Sequence, residues 1–253
     1  MHAVWWYGLA GLAAAAAGAV NALAGGGTLI SFPALTALGV PPVVANMTNT
    51  VALCPGYFGG AVAQWRDLGS LAGALRWLLP IGVLGGTVGA MALRAVPPGF
   101  FRAMVPWLIL FATALLAAQP RLRGWLAQRA GAPGSHSHRM WEGIGVGLAT
   151  TYGGFFGAGL GVLLLAILGL TADASLTRLN ALKQWLSLAA NVAAAVYFAG
   201  AGRVMWPLAA VMAVGAWGGG VLGGTLARRL APDRLRHLVV ALGAMVAVAF
   251  LAT

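Results

Sequence analysis

Apolar residues fill the chain in long runs, and the first of these, residues 4–40, is too long for a single membrane crossing. Roughly 20 residues of helix span the hydrocarbon core. The run is interrupted by Asn21 and then by Gly25-Gly26-Gly27-Thr28. Glycine costs about 1 kcal/mol per residue in a helix relative to alanine, so a triplet predicts a break. A break at membrane depth survives only where the freed backbone is buried in protein or lines a cavity. The arrangement returns as Gly153-Gly154-Phe155-Phe156-Gly157-Ala158-Gly159-Leu160-Gly161. The pattern predicts helices over 4–24 and 28–38, the latter stopped by Gly39 and Pro41-Pro42, then spans over 43–63, 71–93 and 103–118. After a polar stretch it predicts a second interrupted segment over 141–170 and spans over about 179–199, 204–227 and 235–252.

The two halves repeat residue by residue. Gly82-Val83-Leu84-Gly85-Gly86-Thr87 recurs identically as Gly220-Val221-Leu222-Gly223-Gly224-Thr225, and each copy is followed by arginine, proline and arginine: Arg94, Pro97, Arg102 and Arg229, Pro232, Arg236. The expected division is a transmembrane repeat over 1–119, a cytoplasmic linker over 120–140 and a second transmembrane repeat over 141–253. Such repeats are the mark of secondary transporters, whose sites lie between the halves near the midplane. If each interrupted segment enters and leaves on one side, the inner loops hold twelve cations: Arg66, Arg76, Arg121, Arg123, Arg129, Arg139, Arg178, Lys183, Arg228, Arg229, Arg234 and Arg236. The outer loops then hold only Arg94, Arg102 and Arg203. If each segment crosses once, the split is seven to eight. The excess of cations on the cytoplasmic side therefore favours inverted repeats with both termini outside. The predicted fold is an all-α polytopic membrane protein of two inverted repeats, each an interrupted re-entrant or half-helix hairpin plus three transmembrane helices.

Composition narrows the function classes. Of 253 residues, 60% are hydrophobic and 8% charged, against about 25% charged in an average soluble domain. The net charge of +11 is spread through loops between apolar runs, so it reads as membrane topology, and no nucleic-acid partner is expected. Cys54 is the only cysteine, which excludes an intrachain disulfide and a cysteine metal cluster. Asp67, Glu142, Asp173 and Asp233 all fall at loop or helix-end positions, so no acid-based proton relay is predicted at depth. His136 and His138 sit in a polar stretch and are expected in solvent. No signal peptide is expected, because the first residues lack a cationic n-region. One lysine against many arginines, with abundant alanine and glycine, suggests a bacterial source.

The candidate chemistry lies at the two breaks. A half-helix that starts at membrane depth presents unpaired N–H groups and about half a positive charge, which binds anions without a side-chain base. Thr28 and Leu160 would open such half-helices. The glycines at 25–27, with Gly157 and Gly159, are read as the site, whereas Gly82, Gly85, Gly86 and their counterparts are read as helix packing. Asn46 and Asn49 share a helix face with Thr50 beside them, and Asn180, Lys183, Gln184, Ser187 and Asn191 recur at three- and four-residue steps. Lys183 is the only lysine, and two readings compete: a substrate ligand, or a side chain that snorkels to the interface. The substrate-binding set is thus Asn21, Gly25, Gly26, Gly27, Thr28, Asn46, Asn49, Gly157, Gly159, Asn180, Lys183 and Gln184. No catalytic residue, metal ligand or cofactor is expected.

The residues also carry a resemblance. Gly18-x-x-Asn21-x-x-x-Gly25-Gly26-Gly27 with Pro33 and Leu35, then Leu38-Gly39-Val40-Pro41 and Ala45-x-x-Thr48-Asn49, resembles the sulfite exporter TauE/SafE family of membrane permeases. Gly153-x-x-x-Gly157-x-Gly159-x-Gly161, followed by Arg178-Leu179-Asn180-Ala181-Leu182-Lys183, is similar to that family's second repeat. The second repeat departs from the first in having Ala158 and no matching proline. The resemblance implies movement of anions such as sulfite, organosulfonates or related organic acids across the bacterial inner membrane. Expected partners are a small anion, the lipid bilayer and, as an option, a second copy in a homodimer. The alternatives weighed are a non-transporting subunit of a membrane complex and an intramembrane enzyme.

Overall fold

Ten α-helices and no strand make up the described residues of the computed structural model, which are 2–23, 25–129, 136–172, 174–226 and 232–251. In chain order they are α1 (His2–Leu23), α2 (Thr28–Ala37), α3 (Pro42–Ala63), α4 (Ala72–Ala95), α5 (Pro98–Arg129), α6 (His136–Phe155), α7 (Leu160–Thr171), α8 (Leu176–Ala199), α9 (Trp206–Leu226) and α10 (Pro232–Leu251). A 3₁₀ stretch, Trp65–Leu71, joins α3 to α4. Long helices with exposed Leu, Val, Met and Trp on their outer faces make this a multi-pass membrane protein. Residues 130–135 of the expected linker, Asp173, Arg228 and Arg229 lie outside the described residues. The side chains of Arg123, Arg129, Arg234, His136 and His138 do too.

The helices begin and end where backbone chemistry dictates. Gly39, at φ +86°, closes α2 by taking the left-handed position, and Val40 N–H reaches back to Leu35 O, a capping turn that only glycine enters without strain. Pro41 and Pro42 then start α3, where a missing N–H costs nothing. The stretch expected to be linker is largely helical, since α5 runs on through Arg129 and α6 opens at His136. Leu, Arg, Gln and Ala after Pro120 are strong helix formers, and one proline removes only one ladder bond.

The two interrupted segments are hairpins. Near the start of α1, the indole of Trp6 donates to Leu38 O just past α2 at 2.9 Å. Gly145 of α6 lies against Ile167 of α7, and Gly153 against Leu160. Each hairpin therefore returns to the end it started from. α1 lies along α9, and α6 lies along α4 in the same way. In both pairs the contact is backbone on backbone: a Cβ on Gly215 would meet Gly11 O, on Gly219 Ala15 O, on Gly89 Thr151 O and on Gly154 Gly86 O. Such small-residue seams are how helices associate where lipid removes the hydrophobic drive. They give the Gly-rich repeat motif its packing role, including Gly85 against Gly147 and Gly86 against Ala190.

α3 and α8 cross at the centre and run antiparallel. Tyr57 faces Asn191, Gly60 lies against Gln184, and Gln64 accepts a hydrogen bond from Asn180. These two helices hold equivalent places in the two halves. α5 and α10 pack on one another outside them.

Candidate functional site

The two hairpin tips touch. Gly25 leaves α1 at φ +79° and Gly157 leaves α6 at φ +81°, and each N–H bonds five residues back, to Val20 O and Tyr152 O. At the crossing, a Cβ on Gly25 would sit 2.8 Å from Gly161 Cα, and one on Gly161 would sit 2.9 Å from Gly25 Cα. No side chain fits between them. Phe32 of α2 meets Phe156 of the other tip edge-on at 5.2 Å, sealing one flank.

The three adjacent glycines have separate reasons. Gly25 needs both its positive φ and the close approach. Gly27 has φ −59°, but a Cβ there would meet Ala17 O and come within 2.7 Å of Asn21 Cγ. Its requirement is packing, contrary to the expectation that all three glycines serve a ligand. A Cβ on Gly26 would meet only the end of Leu116, at 3.1 Å.

Backbone donors collect at the tips. Asn21 Oδ1 accepts from Gly27 N–H at 2.7 Å, so Asn21 acts on the tip from within. Leu29 and Ile30 bond back to Gly26 O and Gly27 O, and Val162 and Leu163 to Gly159 O. Among the described residues, no acceptor meets the N–H groups of Gly26, Thr28, Ala158, Gly159 and Gly161. They lie at the positive ends of α2 and α7, in backbone that is buried throughout. Thr28 Oγ1 is 4.0 Å from the Cβ position of Gly157, so the first tip looks onto the second.

Lys183 enters this centre from α8. It is 1% exposed, its Cδ lies 3.4 Å from the Cβ position of Gly161, and its ammonium donates to Asn180 Oδ1 at 2.8 Å. Asn180 in turn donates to Gln64 Oε1 just past the end of α3. The side chain is buried along its length, and its ammonium is turned toward the half-exposed Asn180. A lysine kept this deep needs partners for its charge.

The α3 asparagines are arranged differently. Asn46 Nδ2 donates to Phe155 O at the end of α6, at 2.8 Å, while Asn46 Oδ1 and Asn49 Oδ1 are buried with no donor. These are acceptors, so they do not suit an anion directly. Gln184 packs its amide on Gly60. Of the twelve site residues expected from sequence, eleven are buried and only Asn180 is half-exposed.

Several supporting residues lie outside the site set expected from sequence. Tyr57 faces both Asn21 and Asn191. Gln64 extends the lysine's chain. The Tyr152 hydroxyl donates to Ala158 O at 2.7 Å, pinning the second tip, and Thr48 Oγ1 accepts from Met205 N–H before α9. For Tyr152, its position directly before Gly153-Gly154 and five residues before Gly157 was the available signal.

Comparison with known proteins points to membrane transport. A family model described as sulfite exporter TauE/SafE matches residues 10–250. A "Probable membrane transporter protein" of Haemophilus influenzae is 28% identical over 230 residues, 89% of this chain and 87% of that one. The "Probable membrane transporter protein YfcA" of Escherichia coli K12 is 25% identical over 233 residues, 90% of this chain and 83% of that one. The "Probable membrane transporter protein ORF9" of a Sinorhizobium species is 26% identical over 247 residues, covering 95% and 90%.

Proposed function

We propose that this chain, which belongs to the sulfite exporter TauE/SafE family, moves a small oxyanion across the bacterial inner membrane by alternating access between two inverted halves. The chain is a membrane transporter of that family; sulfite, an organosulfonate or a related organic acid is the cargo inferred. The single observation that supports the reading is the buried contact of Gly25 with Gly161, at the start of the second half-helix and against the stem of Lys183. Helix N-termini and an ammonium stabilise an anion; neither tip offers a carboxylate that would repel it. Displacing the tips from one another would open the donors to one face at a time. The antiparallel course of α3 and α8, with both hairpins returning to their own side, supports the inverted arrangement.

The test is uptake of ³⁵S-sulfite into proteoliposomes holding the purified protein, beside Lys183→Gln. Loss of one desolvated ammonium partner should cost about 1.5–3 kcal/mol, roughly tenfold to a hundredfold in affinity. Sulfite uptake no faster than in empty vesicles, repeated with taurine and sulfoacetate, would remove the sulfur-anion reading. Wild-type transport by Lys183→Gln would remove the lysine from the site.

A further inference from the structure

Counting from the first residue of each central helix, the fifth is Asn46 in α3 and Asn180 in α8, and the eighth is Asn49 in α3 and Lys183 in α8. The two helices hold equivalent places in the two halves, so these positions correspond. In α8 the eighth residue's ammonium donates to the fifth residue's amide oxygen, Lys183 Nζ to Asn180 Oδ1 at 2.8 Å. In α3 the same amide oxygen, Asn46 Oδ1, has no donor, and neither has Asn49 Oδ1, three residues further along the helix. Both asparagines are at most 1% exposed.

We infer that the α3 position binds a monovalent alkali cation, sodium being the first candidate, where the second half carries the lysine ammonium. The donor set fits. Two neutral amide oxygens are hard ligands suited to a singly charged ion, and no carboxylate is present to demand a divalent one. The orientation of Asn46 is fixed, because its Nδ2 is committed to Phe155 O at 2.8 Å; its oxygen must be the open atom. Phe155 is also the last residue of α6, and the C-terminal end of a helix carries partial negative charge that favours a cation. Orphaned acceptors at this depth cost free energy unless something fills them. Lys183 shows what filled the equivalent place in the other half.

The consequence is a symmetric charge plan: a fixed cation on one side of the hairpin crossing and an exchangeable one on the other. An anion held between them would be coupled to the ion that occupies the α3 position. The inference stands on the α3 and α8 geometry and does not depend on which anion is carried.

The experiment is thermal unfolding of the purified full-length protein in detergent at constant ionic strength and constant chloride, replacing choline chloride stepwise with NaCl, KCl or LiCl. The expected result is a saturable rise in unfolding midpoint with at least one alkali ion. Asn49→Ala should raise the half-saturating concentration about tenfold or more, the loss of one ion ligand. Asn49→Lys is the sharper variant: a tethered ammonium should remove the alkali response while leaving a folded protein at least as stable as wild type in choline. Asn49→Ser, which keeps an oxygen with less bulk, serves if both variants fail to accumulate, and should keep a weakened response. Midpoints equal in all four salts would mean that water alone fills the position, and would overturn the inference. So would an alkali response that Asn49→Lys or Asn49→Ala leaves intact. Sulfite is absent throughout, so this outcome is independent of the anion assignment.

Discussion

Replacing Gly25 by alanine tests the contact on which the site is built, and its cost can be separated into two parts. The first is backbone strain: φ is +79°, and a left-handed conformation costs a non-glycine residue about 1–2 kcal/mol. The second is steric: the new Cβ would lie 2.8 Å from Gly161 Cα, and forcing extra carbon into a packed centre costs about 1–3 kcal/mol. Two other glycines isolate the parts. Gly39 has φ +86° and nothing within 4 Å of its Cβ position, so Gly39→Ala carries the strain alone. Gly161 has no positive φ but the same 2.9 Å approach to Gly25 Cα, so Gly161→Ala carries the clash alone. The expected order of destabilisation is Gly25→Ala above either single-cause variant, with a total of about 2–5 kcal/mol. The measurement is the unfolding midpoint of detergent-extracted protein, with yield of monodisperse protein as a second readout. If Gly25→Ala is no worse than Gly39→Ala, the tips do not touch as described and the site loses its centre.

Other outcomes follow from the same geometry. Asn21→Ala leaves Gly27 N–H without its buried acceptor and should lower stability by about 1–3 kcal/mol, whereas Asn21→Asp, which keeps the oxygen, should lose less; midpoints of the two variants decide. Gly27→Ala should fail to accumulate because it meets Ala17 O, while Gly26→Ala, facing only the movable end of Leu116, should be recovered folded; extraction yields that are alike would contradict this. For the inverted arrangement, maleimide added outside intact cells in a Cys54→Ser background should label a cysteine at 99 and spare one at 134; the reverse pattern would refute the proposed topology.

Much of this fold was legible because membrane helices announce themselves. Runs of Ala, Leu and Val between Arg and Pro located eight of the ten helices to within a few residues, and α5 and α6 reached into the expected linker because an apolar threshold marks the edge of lipid, not the end of a helix. The paired breaks were legible because glycine triplets have few other uses. What was not legible was why each glycine is there. Gly25, Gly26 and Gly27 look alike in the sequence, yet one is set by φ and a backbone crossing, one by Ala17 O, and one by little at all. Those causes lie on partners 10 to 136 residues distant, and no local pattern encodes them.

The depth of Lys183 was undecidable for the same kind of reason. Its place seven residues into α8 would allow a long side chain to reach the interface if the helix stood free. It does not stand free: α8 passes between α3, α4, α6 and α7, and the side chain turns inward along Gly161. Glycine at 161 gives the lysine stem its room, and the lysine gives the glycine-built tip a charge that backbone dipoles alone would supply only in half measure. The two residues therefore constrain one another. A Gly161→Ala protein that still folds should bind sulfite more weakly even though residue 161 contributes only backbone, because the new Cβ would stand 3.4 Å from Lys183 Cδ and 2.9 Å from Gly25 Cα. Isothermal titration of sulfite into that variant and into Lys183→Gln would check this. If the tip and the lysine form one site, the double variant should lose less than the sum of the two single losses. Losses that simply add would place the lysine and the tip in separate roles.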